Sequence, residues 1–442
     1  MTTMSWRQRN RGAIAPVALA AAASLVLAAC GGDDDGGDGE AAEELPTGEA
    51  SGEFEFFSWW TGGGDSEGKE ALLELYQDQY PDVEVVDAAV AGGAGTNAQA
   101  VLASRLGSGE PPDSYQRHAG AELLSDIQDE FVEDISWLFE EEGWMEVYPE
   151  ALLDQITVDG GIYSVPVNIH RSNLIWWNPA VLQEAGIDGP PGSWDEFLTQ
   201  AEALEGAGKT ALTVGPLWTQ QHLLENVLLG ELGPDVYAGL WTGETDWESQ
   251  EVIAALDMFT QVLEHSNIGQ AAADWQPAID PIVDGDAAYN VMGDWAWAYF
   301  ETVQGLAFED GYNVTASPGT EGMFNWLSDS FTLPIDAPNR DNAIRWLQLA
   351  GSQEGQDTFN PVKGSIPART DGDASLYTGY FEMPLEDWTS DDVAKVGSLA
   401  HGTVADSAWK GEIDSALQEF VGSGDSAAFA AAVAQSYEDT RE

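Results

Sequence analysis

Val165-Pro166-Val167-Asn168-Ile169-His170-Arg171-Ser172-Asn173-Leu174-Ile175-Trp176-Trp177-Asn178-Pro179 is the stretch whose reading decides the fold. The chain enters it through Gly160-Gly161 and leaves it through Asn178-Pro179, both turn signals. Strand formers recur at Val165, Val167, Ile169, Leu174, Ile175, Trp176 and Trp177, yet polar His170, Arg171 and Asn173 interrupt them. A strand buried inside one sheet has no place for a His-Arg pair at its centre. A strand crossing from one lobe to another, past a wet cleft, does. The stretch therefore predicts a hinge between two lobes.

Working outward from it, the same pattern recurs at Trp326 to Pro334, where Ser328-Asp329-Ser330 sits in the middle of an apolar strand. Before the hinge, Phe54 to Trp60 is a strand by composition, a glycine-rich turn follows, and Leu72, Leu75 and Tyr76 fall in helical register over about Lys69 to Tyr80. Pro81 ends that helix, and Val83-Glu84-Val85-Val86 starts another strand. Strand, helix, strand at this spacing predicts a parallel sheet covered by helices. Ligands of such sheets sit beyond the carboxyl ends of strands, where Trp59, Trp60 and the loop Ala91 to Gly95 both fall.

Beyond the hinge, Ser193 with Glu196 is a capping box before a helix over Trp194 to Leu204. Trp218 to His222 leads into another helix, and Ala288 to Met292 is a short buried strand from which Gly293-Asp294-Trp295 breaks out. Asp113 to His118 follows Pro111-Pro112, where a third strand could end.

Charge and composition narrow the function. The 442 residues hold 77 Asp and Glu against 15 Lys and Arg, a formal charge of −62, which excludes nucleic acid or an anionic substrate as partner. With 43% hydrophobic residues and 18 Trp the chain is nevertheless built to fold. Such a surface suits high salt, where repulsion is screened within a few ångströms. Gly63-Gly64-Asp65-Ser66-Glu67-Gly68-Lys69 has the spacing of a phosphate loop. Glu70 stands where Ser or Thr belongs, however, and Asp65 and Glu67 would repel phosphate, so nucleotide binding is rejected.

The N-terminal segment lies outside the fold. Arg7, Arg9 and Arg11 precede an apolar run from Ala13 to Ala29 that ends in Leu27-Ala28-Ala29-Cys30, the pattern of a secretory signal. It resembles a bacterial lipobox, with residues 1–29 removed and lipid on the Cys30 thiol. Cys30 is the only cysteine, so no internal disulfide or thiolate metal site can form. Residues 30–52 are acidic and poor in apolar side chains, and are expected to be a disordered tether.

In one order stand the lipobox, an opening Phe57-Ser-Trp-Trp60 strand, Val90-Ala-Gly-Gly-Ala-Gly95, Pro166 to Asn173, Asn290-Val-Met-Gly-Asp-Trp295, Leu327-Ser-Asp-Ser-Phe331 and Asn360-Pro-Val-Lys-Gly-Ser365. Together they resemble a family 1 extracellular solute-binding lipoprotein of an ABC sugar importer. Within that family the chain is similar to bacterial glucose/mannose/galactose-binding proteins over nearly all of residues 53–410. The resemblance implies an α/β, two-lobed periplasmic-binding-protein fold of type II, maltose-binding-protein-like, with a ligand cleft and three hinge crossovers. Those fall near Val165–Ile169, Leu327–Phe331 and Lys363–Pro367. The N-terminal lobe is then 53–166 plus 330–364, and the C-terminal lobe 167–329 plus 365–442.

A sugar needs flat aromatic rings for its C–H faces and hydrogen-bonding groups for its hydroxyl edges. On a strand Trp59 and Trp60 point to opposite sides, one to core and one to cleft, and both are kept as candidates. Asp329 and Lys363 fall at crossings, where a charge needs a partner; sugar hydroxyls, or each other, would serve. Glu67 and Gly93 are candidates from loop position alone. The resemblance implies ring stacking at Trp275 and Trp295 and hydroxyl contacts at His118 and His401. His170, Arg171 and Asp294 are assigned to the hinge or to support behind the ligand, with His170 equally able to be either. His222 and His265, on predicted helix faces, are read as structural.

The implied function is a non-enzymatic receptor without cofactor or metal. It closes on a monosaccharide (glucose first, galactose or mannose next) and presents it to ABC permease subunits. It is expected to be monomeric and lipid-anchored at Cys30 on the extracellular face of the membrane, or periplasmic. A disaccharide or other solute is the alternative ligand. A secreted glycoside hydrolase is the rival from another class, since aromatic-lined clefts and carboxylates suit both; it needs two carboxyls facing each other across the scissile bond.

Overall fold

The computed structural model describes residues 43–440. The expected signal segment, residues 1–29, and the lipid-bearing Cys30 lie outside the described residues. The expected tether ends sooner than residue 52. Leu45 and Ala50 pack on the folded body, Arg345 Nη2 donates to the Gly48 carbonyl at 3.0 Å, and Asn342 Nδ2 donates to that of Ser51 at 3.0 Å. Two apolar residues and two backbone acceptors are enough to lay the end of an acidic segment against a helix.

The strand Gly52–Phe57 runs parallel to Val83–Asp87 on one side, Phe54 facing Val85, and parallel to Ser114–His118 on the other, Phe56 facing Ser114. Asp329–Phe331 and then Val165–Pro166 extend this sheet antiparallel, giving five strands. The third strand spans Ser114–His118 and ends at His118. It is buried on both faces yet presents Gln116, Arg117 and His118, so its composition does not resemble a core strand. A second, four-stranded sheet orders Asn313–Ala316, Leu174–Trp177, Ala287–Val291 and Thr210–Thr213. A three-stranded sheet of Ala394–Gly397, Met323–Leu327 and His170–Arg171 completes the frame.

The crossing segments can be read from these pairings. Val165–Pro166 belongs to the five-stranded sheet and His170–Arg171 to the three-stranded one; Asp329–Phe331 and Met323–Leu327 divide in the same way, with a break at Ser328. The two crossings run antiparallel side by side. A third segment joins them through a bridge between Ile169 and Ile366.

The helix over the first sheet spans Gly64–Gln79, starting a turn before Lys69 because Asp65 and Glu67 favour the positive end of the helix dipole. It packs on the helix Gln353–Lys363 through Gly68, where an added Cβ would meet the Phe359 ring at 3.1 Å. The capping box is shifted by one residue: Ser193 Oγ accepts from the Glu196 N–H at 3.2 Å, while the Glu196 carboxylate reaches back to the Gly192 N–H at 2.9 Å.

The apolar interior forms two clusters. One gathers Phe54, Phe56, Tyr76, Phe331 and Trp346; the other gathers Ile175, Phe197, Leu224, Phe259, Tyr289 and Trp409. Trp346 sits edge-on to Phe56 at 5.0 Å and to Phe331 at 5.3 Å, tying a parallel strand to a crossing segment. Trp346→Ala should therefore lower the unfolding free energy by about 3–5 kcal/mol, read as a reduced guanidinium midpoint at unchanged m-value. A loss near zero would place Trp346 outside the core.

Candidate functional site

Strand ends and crossing segments converge on one pocket of about 540 Å³, open mouth included. Trp59 and Trp60 both lie just beyond the strand Gly52–Phe57, so the alternation expected of a strand does not apply. Both line the pocket: Trp59 stands 4.9 Å from the His118 ring, while Trp60 has its body in the core against Phe331 and Phe359. Gly93 lines it from the loop Gly93–Gly95. An added Cβ there would meet the Trp218 ring at 2.7 Å, so only glycine lets loop and indole meet across the mouth.

From the other side come Trp275, at the first turn of Trp275–Val283, and Trp295, just after the strand Ala287–Val291. Trp295 makes edge contacts with His401 at 5.0 Å and His170 at 5.4 Å. Trp218, read from sequence only as the approach to a helix, lies within the helix Leu217–Leu232 and lines the pocket as a fifth tryptophan. The signal that singled out Trp59 applied to it too: it follows a strand, Thr210–Thr213, after Gly215-Pro216.

The polar lining comes from His118, His170, Asp329, Lys363 and His401, together with Asp65, Asp274, Gln276 and Thr61. Glu67 is not part of it. On the helix Gly64–Gln79 Asp65 takes the position facing the pocket, while the Glu67 carboxylate accepts from the Ser66 hydroxyl at 3.1 Å. Of the two alternatives for Asp329 and Lys363, sugar hydroxyls or each other, the structure does not form the second. Lys363 Nζ reaches Asp65 Oδ1 at 2.6 Å. Asp65 is in the first turn of one helix and Lys363 in the last turn of another, so each charge stands at the helix end that stabilises it.

Asp329 finds other partners. Gln116 Nε2 donates to Oδ1 at 2.8 Å, Asn168 Nδ2 donates to Oδ2 at 2.8 Å, and His170 Nε2 lies 3.4 Å from Oδ2. Burial alone would raise the Asp329 pKa. The neighbouring His170, then Lys363 and His118, outweigh it and hold the carboxyl well below its usual range. Behind His170, Asp294 contacts Nδ1 and accepts from the Arg171 N–H at 2.9 Å. Burial opposes charge on His170, but Asp294 overcomes this and raises its pKa. Arg171 itself pairs with Asp387, is buried, and does not line the pocket. His170 does line it.

His118 Nδ1 is 2.8 Å from the buried Glu122 carboxylate, which leaves its Nε2 side toward Asp329 at 3.9 Å. His401 Nδ1 is 2.8 Å from the Ser398 hydroxyl. Burial first, then the proximity of His118 and His222, holds the His401 pKa well below the ordinary value, so the ring is neutral. His222 is buried behind the pocket, donating from Nε2 to the Ser172 carbonyl at 2.9 Å, and burial lowers its pKa to about 4. His265 lies far from the pocket and pairs with Glu205 at 2.8 Å.

Among the described residues one group has metal-ligand composition, His222, Glu225 and His401, with one atom from each within 4.8 Å of the others. Both Glu225 oxygens already accept from hydroxyl or backbone donors at 2.6–3.2 Å, which leaves no free lone pair for an ion.

The lowered His222 and His401 pKa values bear on stability. The unfolded chain takes up protons at these positions below about pH 6.5, while the folded chain resists. Their contribution is complete above that pH and is lost as pH falls toward about 4, the His222 value in the fold. A series of guanidinium midpoints should fall between pH 6.5 and 4, and His222→Asn should flatten the slope. An equal slope in that variant would remove His222 as its source.

Comparison with known proteins agrees with this architecture. The family of bacterial extracellular solute-binding proteins matches residues 61–357, and the chain belongs to it. An ABC transporter extracellular-binding protein of Pyrococcus horikoshii, itself uncharacterised, is 32% identical over 378 residues, 84% of each chain. The xylose/arabinose-binding protein XacG of Haloferax volcanii is 28% identical, covering 80% of this chain and 79% of its own. Among solved structures, the bacterial solute receptor AcbH, described as having an exclusive preference for β-D-galactopyranose, superposes with TM-score 0.76 at 17% identity. That match covers 89% of this chain and 99% of the receptor. The fold is thus the two-lobed, maltose-binding-protein-like one, and the family is one of receptors rather than enzymes. No helix among the described residues is long and apolar enough to cross a membrane.

Proposed function

We propose that this member of the extracellular solute-binding family captures a monosaccharide, glucose first and galactose or mannose next, and hands it to an ABC permease. The observation that carries the reading is the convergence in one pocket of five tryptophans with Asp329, Lys363, His118 and His401. Indole faces suit the C–H faces of a pyranose, and charged or imidazole groups suit its hydroxyl edges. The ligand contacts are assigned to Trp59, Trp60, Gly93, His118, Trp275, Trp295, Asp329, Lys363 and His401, to which Trp218 and Asp65 are added. His170, Arg171 and Asp294 brace the crossing. The relative XacG, named for two pentoses, supports the monosaccharide class without choosing the sugar.

The lobes are assigned as 53–166 plus 330–364 and 167–329 plus 365–442, in keeping with the division of the crossing strands between sheets. Ligand contacts from both lobes would favour a closed state over an open one, and closure is the form a permease distinguishes. Cys30 is assigned as the lipid attachment that keeps a monomeric receptor outside the cell, and the charge of −62 suits a saline surface.

Titration calorimetry of the full-length chain at high salt, with glucose, galactose, mannose, xylose and maltose in turn, tests the reading. One saturable site for a monosaccharide with no sugar consumed is expected. Asp329→Ala should weaken that binding by at least about a hundredfold, because a buried group that hydrogen-bonds the sugar leaves partners unpaired when removed. Binding of maltose alone would overturn the ligand class, and product formation would overturn the receptor.

A further inference from the structure

Glu225 is fully buried in the middle of the helix Leu217–Leu232 and touches no part of the pocket. The contacts at its carboxylate include no lysine or arginine. Ser172 Oγ donates to it at 2.9 Å, the Leu399 N–H at 2.6 Å and the Ala400 N–H at 3.2 Å. Ser398 Oγ lies 2.9 and 3.1 Å from its two oxygens. We propose that Glu225 is a positioning residue that fixes the hydrogen-bonding polarity of His401 through Ser398. The pocket then presents an acceptor there, to which a ligand hydroxyl must donate.

The wiring follows from counting protons. Burial raises the Glu225 pKa, and the hydroxyl and backbone donors around it work against that rise; the two backbone N–H groups hold Oε2 as an acceptor, and in its ionised form the carboxylate has nothing to donate. The single Ser398 proton therefore goes to Glu225, which leaves the Ser398 oxygen free only to accept. Its other neighbour is His401 Nδ1 at 2.8 Å, so His401 carries its proton on Nδ1 and donates it to Ser398. A neutral imidazole with the proton on Nδ1 has its lone pair on Nε2, the nitrogen left for the pocket that His401 lines. Edge contacts from Trp295 at 5.0 Å and Trp218 at 6.0 Å hold the ring plane. His222 does not compete for the relay: its Nε2 proton is committed to the Ser172 carbonyl, and its Nδ1 lone pair lies 3.7 Å from Glu225 Oε1.

This inference rests on the monosaccharide reading for its consequence but not for its wiring, and the test separates the two. The full-length chain labelled with ¹⁵N-histidine gives the tautomer of each ring from long-range proton–nitrogen correlations, with His401 assigned by its loss in His401→Gln. Nδ1–H is expected for His401 in the wild type. In Glu225→Gln the carboxamide oxygen must stay on the Leu399 and Ala400 N–H groups, which turns its NH₂ toward Ser398. Ser398 then accepts from the amide and donates to His401 Nδ1, so the tautomer should invert to Nε2–H. A purely structural role for Glu225 predicts no inversion. Should that variant fail to fold, Ser398→Ala, which removes the relay while leaving the other donors on Glu225, should lose the fixed Nδ1–H signal, and Ser398→Thr should keep it.

Affinity supplies the second readout. Ser398→Ala should weaken glucose binding about five- to tenfold, the worth of one neutral hydrogen bond, and Ser398→Thr should restore it. In glucose analogues with one hydroxyl at a time replaced by fluorine, which accepts but does not donate, the analogue altered at the position facing His401 should lose binding. That loss should shrink in Ser398→Ala, the coupling that a shared relay demands. An Nε2–H tautomer in the wild type, or Ser398→Ala with unchanged tautomer and affinity, overturns the relay. Absence of any monosaccharide binding by the wild type overturns the functional reading instead, with the tautomer still deciding the wiring.

Discussion

Asn168 and Asp329 hold each other across the two central crossings, and much of the molecule depends on that pairing. Asn168 Oδ1 accepts from the Asp329 N–H at 2.7 Å while its Nδ2 donates to the Asp329 carboxylate at 2.8 Å. The contact joins residues 161 positions apart at the place where both segments pass between sheets. A carboxylate so deeply buried is tolerable only with its lone pairs filled. Asn168 and Gln116 donate to one oxygen each, His170 stands 3.4 Å from Oδ2, and Asp294 in turn supports His170. The crossing and the floor of the pocket are therefore one hydrogen-bonded object.

Two of the pocket's charges are settled within the protein. Lys363 is matched by Asp65 at the facing ends of two packed helices, and Asp329 by the His170 side of the crossing. Within a chain of formal charge −62, Lys363 and Asp329 thus meet the cavity already partnered, while Asp274, which also lines it, accepts from the Trp275 N–H. Such a cavity is adapted to a neutral, many-hydroxylated ligand better than to an ion, because a charged guest would leave one of those partners unmatched. That agrees with the proposed sugar.

Sequence and structure agree where the physics is local. The polar interruptions at His170-Arg171 and at Asp329 announced crossings because a buried strand does not otherwise hold such groups. Trp59, Trp275 and Trp295 were visible because they adjoin glycine, proline or a strand end. Less legible was whatever two distant segments decide jointly. Nothing near Lys363 names Asp65 as its partner, and nothing near Glu122 names His118 except a spacing of four. The helix Leu217–Leu232 conceals most: Trp218 to Leu229 are all buried, so no polar face exists to mark His222 and Glu225 as exceptional. The end of the acidic tether was hidden for a similar reason, since its order comes from Asn342 and Arg345, far along the chain.

The meeting of the Gly93 loop with the Trp218 ring has an optical consequence. Five of the chain's 18 tryptophans line a single space, and one of them touches the opposite wall through a residue without a side chain. Indole emission responds to the water around it, so replacing water by a solute, or parting that contact, alters the fluorescence of a large share of the chromophores at once. Entry of a solute would thereby be converted into light by the pocket lining itself, with no added label.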